Sequence, residues 1–129
     1  MRIGKTYHFD AAHYLPEHPK CGVMHGHTYH VTVTLYGEPN QDGFIMDFGQ
    51  LDKIVKSELD ELDHDVLNKH LSNPTCELLA RYLKDLLLHR LEPLMPKGLA
   101  IRVQEGDGGW AEDSNSSLHS QILPKRGII

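Results

Sequence analysis

Cys21-Gly22-Val23-Met24-His25-Gly26-His27, followed closely by His30-Val31-Thr32-Val33-Thr34-Leu35, is the stretch that decides the fold. Val31, Val33 and Leu35 form an odd-numbered apolar row alternating with polar residues, the pattern of a strand with one buried face. His25 and His27 share that parity, so both imidazoles point to one face and can grip a single metal ion. The N-terminal segment repeats the arrangement, because Ile3, Tyr7, Phe9 and Ala11 make an odd-numbered apolar row that His13 prolongs. If these strands pair as neighbours, the connection from Tyr14 to Met24 lies at one end and the three histidines converge there.

Three neutral imidazoles with a fourth position open suit a catalytic zinc, which acts as a Lewis acid on a bound oxygen. Cys21 keeps a second reading open. Its thiolate could complete a closed structural site or stand as a free base beside an open one, and spacing alone does not separate the two.

A chain of 129 residues suits a single domain, 1–129, with its own core. Hydrophobic content of 40% and charged content of 24%, with no long polar tract, indicate a folded protein rather than a disordered one. No apolar run is long enough to span a bilayer, and no apolar segment of a signal peptide follows Met1-Arg2-Ile3-Gly4-Lys5-Thr6, so the expected location is cytoplasmic. In that compartment Cys21 and Cys76 are expected to be free thiols, Cys76 as ordinary helix packing. A net charge of −5 and the lack of any Lys/Arg cluster argue against a nucleic-acid partner. Of the ten histidines, His18, His70, His89 and His119 show no partner pattern and read as surface residues.

The chain reads as α+β: two strands, two helices, then two strands, with no repeat or linker. Breakers crowd Gly37 to Gly43, and Phe44-Ile45-Met46 reads as a short extended piece. Leu51, Ile54, Val55, Leu59 and Leu62 then recur at steps of three and four, which predicts an amphipathic helix. A second helix is expected to open with Asn73 as cap, Pro74 at its first position and Glu77 in its first turn, and to stop before Pro93.

Leu99, Ile101 and Val103 alternate with polar residues, and Glu105 continues their apolar row. A carboxylate facing the core side must meet a cation or a set of donors. A salt bridge satisfies this, and so does a heterocycle offering two adjacent N–H groups, such as the amino-pyrimidinone edge of a guanine or a pterin. Leu62-Asp63-His64 falls at the end of the first helix, where the dipole favours an imidazolium and the carboxylate can orient the ring. Such a histidine could take a proton from a thiol or simply cap carbonyls.

Phe9-Asp10-Ala11-Ala12-His13, Cys21 through His27, Met46-Asp47-Phe48, Leu62-Asp63-His64, Asn73-Pro74-Thr75-Cys76-Glu77 and Glu105 with Trp110-Ala111-Glu112 together resemble the 6-pyruvoyltetrahydropterin synthase family in order and spacing. The resemblance implies a tunnelling fold of strand-strand-helix-helix-strand-strand order, with the two helices on one face of an antiparallel sheet. It further implies subunits joined edge to edge into trimeric barrels, stacked as a homohexamer with active sites between subunits. It implies that His13, His25 and His27 bind Zn2+, that Cys21 accepts a proton, and that Asp63 and His64 relay it. Glu105 would anchor the pterin and join the relay, with Thr75 and Glu77 also at the substrate.

The implied substrate is 7,8-dihydroneopterin triphosphate. Cys21 ahead of the His-Gly-His element is most similar to the bacterial branch that forms 6-carboxytetrahydropterin, acetaldehyde and triphosphate for queuosine. The same residues would serve an enzyme that stops at the pyruvoyl product, or a metal-stabilised oligomer that binds a pterin without turnover. Gly106 stands where the family usually has threonine and Asp113 where tyrosine is common, and Gly106-Asp107-Gly108-Gly109 reads as a flexible run. For the triphosphate, Lys5, Lys20, Arg102 and Lys125 are candidates by charge.

Overall fold

The computed structural model describes residues 1–94 and 96–115. Strands β1 (Arg2–His13) and β2 (His25–Tyr36) are followed by helices α1 (Phe48–Asp60) and α2 (Cys76–Leu91), then strands β3 (Gly98–Glu105) and β4 (Trp110–Ser114). The four strands form one antiparallel sheet in the order β1-β2-β3-β4. The element order agrees with the sequence reading. His119 and Lys125 lie outside the described residues.

Register explains why parity could be read so far along the chain. Phe9 lies opposite Tyr29, Ala11 opposite His27 and His13 opposite His25, so odd residues meet odd residues across β1 and β2. Tyr29 in turn faces Glu105 on β3, which extends the same face across a third strand. Val31, Val33, Leu35, Leu99, Ile101 and Val103 are fully buried on it, and the Phe9 and Tyr29 rings stack at 5.1 Å. Leu51, Val55 and Leu59 of α1, with Leu79, Leu83, Leu87 and Leu91 of α2, recur at steps of four and close over this face. Each such side chain removed from water contributes about 1.5–3 kcal/mol before entropy is counted. The opposite face of the sheet stays open and polar, with a Thr6–Thr32 hydroxyl pair, neighbouring His8 and His30 rings, and Arg102 stacked 3.9 Å over Trp110.

Several local expectations are corrected. Phe44-Ile45-Met46 forms no strand; Phe44 instead closes a turn in which its carbonyl accepts from Asn40 N–H at 2.8 Å. Helix α1 ends at Asp60, so Leu62 reaches the core from the turn that follows rather than from the helix. Helix α2 is capped by Thr75, whose hydroxyl accepts from Leu78 N–H at 3.1 Å, and Cys76 rather than Pro74 is its first residue. The Gly106 to Gly109 run is a defined hairpin turn. Glu105 N–H donates to Gly109, Gly108 N–H to Glu105, and Gly106 has φ +54, where a threonine side chain would be strained. Asp113 faces Arg81 and Lys84 of α2, each at 3.6 Å, which ties β4 to the helix layer.

The turn after α1 runs along the outer edge of β1. His64 N–H donates to Asp10 C=O at 2.6 Å, and Ala12 N–H to Asp65 C=O at 3.0 Å. Asp65 is held in turn by Lys69 Nζ at 2.8 Å and Val66 N–H at 2.8 Å, which bring its carboxyl down to about 2. A carboxyl lowered in the folded state stabilises it above the unfolded value near 3.9 and loses that contribution as pH falls towards 2. Hydrogen exchange at Ala12 N–H, corrected for its intrinsic rate, should therefore accelerate between about pH 4 and pH 2. Asp65→Asn should show the faster exchange already at neutral pH, and equal protection in both proteins would refute the assignment.

Candidate metal centre and active site

Ligand atoms of His13, His25 and His27 all lie within 4.8 Å of one another. His13 and His27 extend the buried rows of β1 and β2, and the connection between the strands brings His25 opposite His13. His13 Nδ1 meets Pro74 C=O at 2.9 Å and His25 Nδ1 meets Val23 C=O at 2.7 Å. A carbonyl can only accept, so each Nδ1 carries the proton and each neutral ring turns an unprotonated Nε2 inward. These two Nε2 atoms are 3.0 Å apart. Two lone pairs at that distance repel unless a cation lies between them, and tetrahedral zinc ligands about 2.0–2.1 Å from the metal stand roughly 3.3 Å apart. Burial lowers the His13 pKa, with the Pro74 carbonyl and Glu105 opposing, and so favours the neutral ring that a ligand requires. The donor set fits a divalent metal held by three imidazoles.

Cys21 is not part of that cluster among the described residues. It sits half-buried in the β1–β2 connection, where its N–H donates to His18 Nδ1 at 2.8 Å and its C=O accepts from Leu15 N–H at 2.8 Å. A Cβ on the adjacent Gly22 would lie 2.8 Å from the His18 carbonyl, so the turn closes only with glycine there. His18 thus shapes the turn rather than being a plain surface residue. His70 likewise has a partner, Asp65 at 3.4 Å.

Glu105 faces the cluster as its parity predicts, with its carboxylate 3.7 Å from His27 Nε2. No other ion pair or side-chain hydrogen bond ends on it among the described residues, which leaves most of its acceptor capacity for a ligand. Its charge, after burial, also raises the Tyr29 phenol and brings the Cys76 thiol up to about 11. Cys76 therefore stays a thiol and donates to Val103 C=O at 2.9 Å. Thr75 is committed to capping α2, and Glu77 lies exposed in the first turn.

Asp63 and His64 do form a pair, with Asp63 Oδ2 2.9 Å from His64 Nδ1. The Asp10 N–H, then His64, hold the Asp63 carboxyl below the usual carboxylate range. An ionised carboxylate is acceptor only, so it fixes the proton of the neutral imidazole on Nδ1 and leaves Nε2 as a base. The position differs from the sequence expectation. His64 lies four residues past α1, away from its dipole, in a left-handed conformation with φ +59, and its ring caps no helix carbonyl.

Asp10, Asp63 and His64 make a second donor cluster, separate from the three histidines. Beside it is a cavity of about 680 Å3, with Asp10, Ala12, Gly26, Thr28, His64 and Lys69 among its lining residues. Strand positions 10, 12, 26 and 28 belong to the open face, whereas 13, 25 and 27 belong to the covered one. Sequence reasoning gave Asp10 and Thr28 no role, because the parity argument followed only the core-facing row. Among the proposed triphosphate cations, Lys5 is bound to Asp52 at 2.8 Å and Arg102 is paired with Glu112 at 3.5 Å.

Residues 2–115 match the family described as 6-pyruvoyl tetrahydropterin synthase. An Archaeoglobus fulgidus protein provisionally named 6-carboxy-5,6,7,8-tetrahydropterin synthase is 37% identical over 115 residues, covering 87% of this chain and 94% of that one. The Bacillus subtilis 6-carboxy-5,6,7,8-tetrahydropterin synthase is 33% identical over 114 residues, covering 80% and 76%. A Pyrococcus furiosus protein named dihydroneopterin monophosphate aldolase is 40% identical over 77 residues, covering 60% and 66%. The solved structure of Caenorhabditis elegans 6-pyruvoyl tetrahydropterin synthase superposes with a TM-score of 0.77 at 24% identity, covering 89% of this chain and 95% of that one.

Proposed function

Because the chain belongs to the 6-pyruvoyl tetrahydropterin synthase family, we propose that it is the lyase that converts 7,8-dihydroneopterin triphosphate to 6-carboxy-5,6,7,8-tetrahydropterin, acetaldehyde and triphosphate, with zinc as its metal. The observation that carries this reading is the convergence of three metal-competent imidazoles beside the unspent Glu105 carboxylate. The names of the A. fulgidus and B. subtilis relatives favour the carboxy product.

When bound, zinc would supply Lewis-acid polarisation of the substrate's side-chain hydroxyls. Each residue then has a defined task. Glu105 accepts two N–H groups of the amino-pyrimidinone edge and so orients the ring. Cys21, as thiolate, removes the proton at C1′. The electron pair of that bond enters the ring, which is reprotonated to the tetrahydro level and leaves C1′ a carbonyl. Loss of the C2′ proton then expels triphosphate, and addition of water at C1′ with cleavage of the C1′–C2′ bond releases acetaldehyde. His64, with its Nδ1 proton fixed by Asp63, accepts the proton from Cys21 at Nε2.

Placement of that relay on the open face, with the three histidines on the covered face, supports a site shared between chains. The strand edges support the same reading. The turn after α1 covers β1 from Asp10 to Ala12 but leaves Arg2 to His8 uncovered, while β4 forms the other edge. Uncovered edges invite pairing with a second copy, which is consistent with edge-to-edge trimeric barrels that stack as a homohexamer. No described helix is long and apolar enough to cross a membrane. A cytoplasmic place in queuosine biosynthesis, with no nucleic acid or membrane as partner, completes the proposal.

Incubation of the zinc-loaded protein with 7,8-dihydroneopterin triphosphate, followed by mass spectrometry of the pterin, tests it. The 6-carboxy product with acetaldehyde is expected. The pyruvoyl product would replace the proposal with the shorter reaction. Turnover of the monophosphate alone would place the chain beside its Pyrococcus relative, and no turnover would favour a binding role.

A further inference from the structure

Asp10 is unassigned by the reading above, yet it touches both members of the proposed relay. Its N–H donates to Asp63 Oδ1 at 3.0 Å, and its C=O accepts from His64 N–H at 2.6 Å. Any residue other than proline at this position could make those two backbone bonds. The side chain adds something else. The Asp10 carboxylate accepts from the Thr28 hydroxyl, and a ligand atom of Asp10 lies within 4.8 Å of those of both Asp63 and His64. Thr28 is itself fixed, being opposite Asp10 in the β1–β2 register and accepting Gly106 N–H at its carbonyl at 2.7 Å.

We infer that Asp10, held in place by Thr28, is a positioning residue for His64, supplying a second carboxylate beside the imidazole at the moment it takes a proton. The inference rests on the lyase reading, since His64 needs such help only if it receives a proton in turnover. On arrival of that proton the ring becomes an imidazolium beside two anions, Asp63 at Nδ1 and Asp10 within 4.8 Å. Both favour the charged ring. Other charged or titratable groups near it are His8 on the open face of β1, His27, which lines the same cavity, and Asp65 and Lys69, which pair with each other at 2.8 Å and so largely offset one another.

Asp10→Asn separates charge from shape. The amide keeps an acceptor for Thr28, and the main-chain bonds to Asp63 and His64 do not depend on the side chain. In the zinc-loaded assembly with 7,8-dihydroneopterin triphosphate, kcat should fall by on the order of 10- to 100-fold while KM stays within about twofold. Asp10→Glu should recover part of the loss. Thr28→Val should lower kcat by a smaller factor, Thr28→Ser should restore it, and the Asp10→Asn/Thr28→Val double variant should be no worse than Asp10→Asn alone.

Wild-type kcat in Asp10→Asn, a loss confined to KM, or additive effects of the two substitutions would overturn the inference while leaving the lyase intact. An inactive wild-type protein would sink the lyase reading.

Discussion

Replacement of Cys21 by alanine is expected to lower pterin turnover by on the order of 1,000-fold while the protein keeps its metal. The two halves of this result have separate causes. Turnover falls because the thiolate is the proposed base and alanine offers nothing in its place. Metal stays because the ligand atoms that converge belong to His13, His25 and His27, with Cys21 outside the group. The connection should also keep its shape, since Cys21 is held through its own N–H and C=O by His18 and Leu15 rather than through its sulfur. Zinc content by mass spectrometry, measured beside kcat on the same preparation, reads both halves. Loss of metal from Cys21→Ala would mean that the thiolate is a fourth ligand of a closed site. Selective alkylation of Cys21 in the wild-type protein should reproduce the variant, because Cys76 remains a thiol bonded to Val103.

The two features of the site that sequence exposed best were those that depend on parity. His13, His25, His27 and Glu105 could be placed on one face because β1, β2 and β3 pair without interruption by a bulge in this region. A single inserted residue would have reversed the assignment. The order of elements was equally open to reading, since apolar steps of two and of four separate strand from helix in a chain this short. What sequence concealed was set by tertiary contacts. Asn73 and Pro74 have the composition of a helix start, yet the Pro74 carbonyl, which a helix beginning there would bond to Leu78 N–H, is drawn to His13 Nδ1. Leu78 N–H turns to the Thr75 hydroxyl instead, and the helix starts one residue after it. The Pro74 carbonyl is thus bonded to His13 rather than to the helix, and α2 begins at Cys76.

His64 shows the same limit more sharply. Its residue type and its carboxylate neighbour were visible, but nothing local indicates a left-handed histidine bonded to the edge of β1. That contact sets Asp63 and His64 beside Asp10, a residue of the polar row, and the proposal of a site shared between chains rests on this. Asp10 and Thr28 were hidden for a related reason. They occupy the polar row, where alternation predicts only solvent, and what marks them is their proximity to a segment distant in sequence.

Single removal of His13 or His25 should abolish turnover equally yet destabilise the fold unequally. Either change leaves two imidazoles, and loss of the metal's charge stabilisation, worth several kcal/mol, should cost at least about 1,000-fold in rate. The structural cost differs because the rings differ in surroundings. His13 is 1% exposed, and its Nδ1–H satisfies the Pro74 carbonyl at the approach to α2. His13→Ala empties that volume and strands a buried acceptor, at about 3 kcal/mol, or roughly 10 °C in Tm for a domain of this size. His25 is only partly buried, and its Nδ1–H goes to Val23 in an exposed turn where water can replace it. His25→Ala should move Tm by only a few degrees. The comparison must be made on metal-free protein, since a bound ion adds stability of its own to the wild type. Equal melting points for the two metal-free variants would show that the His13–Pro74 bond does not anchor α2, and retention of zinc by either variant would remove the three-histidine centre from the proposal.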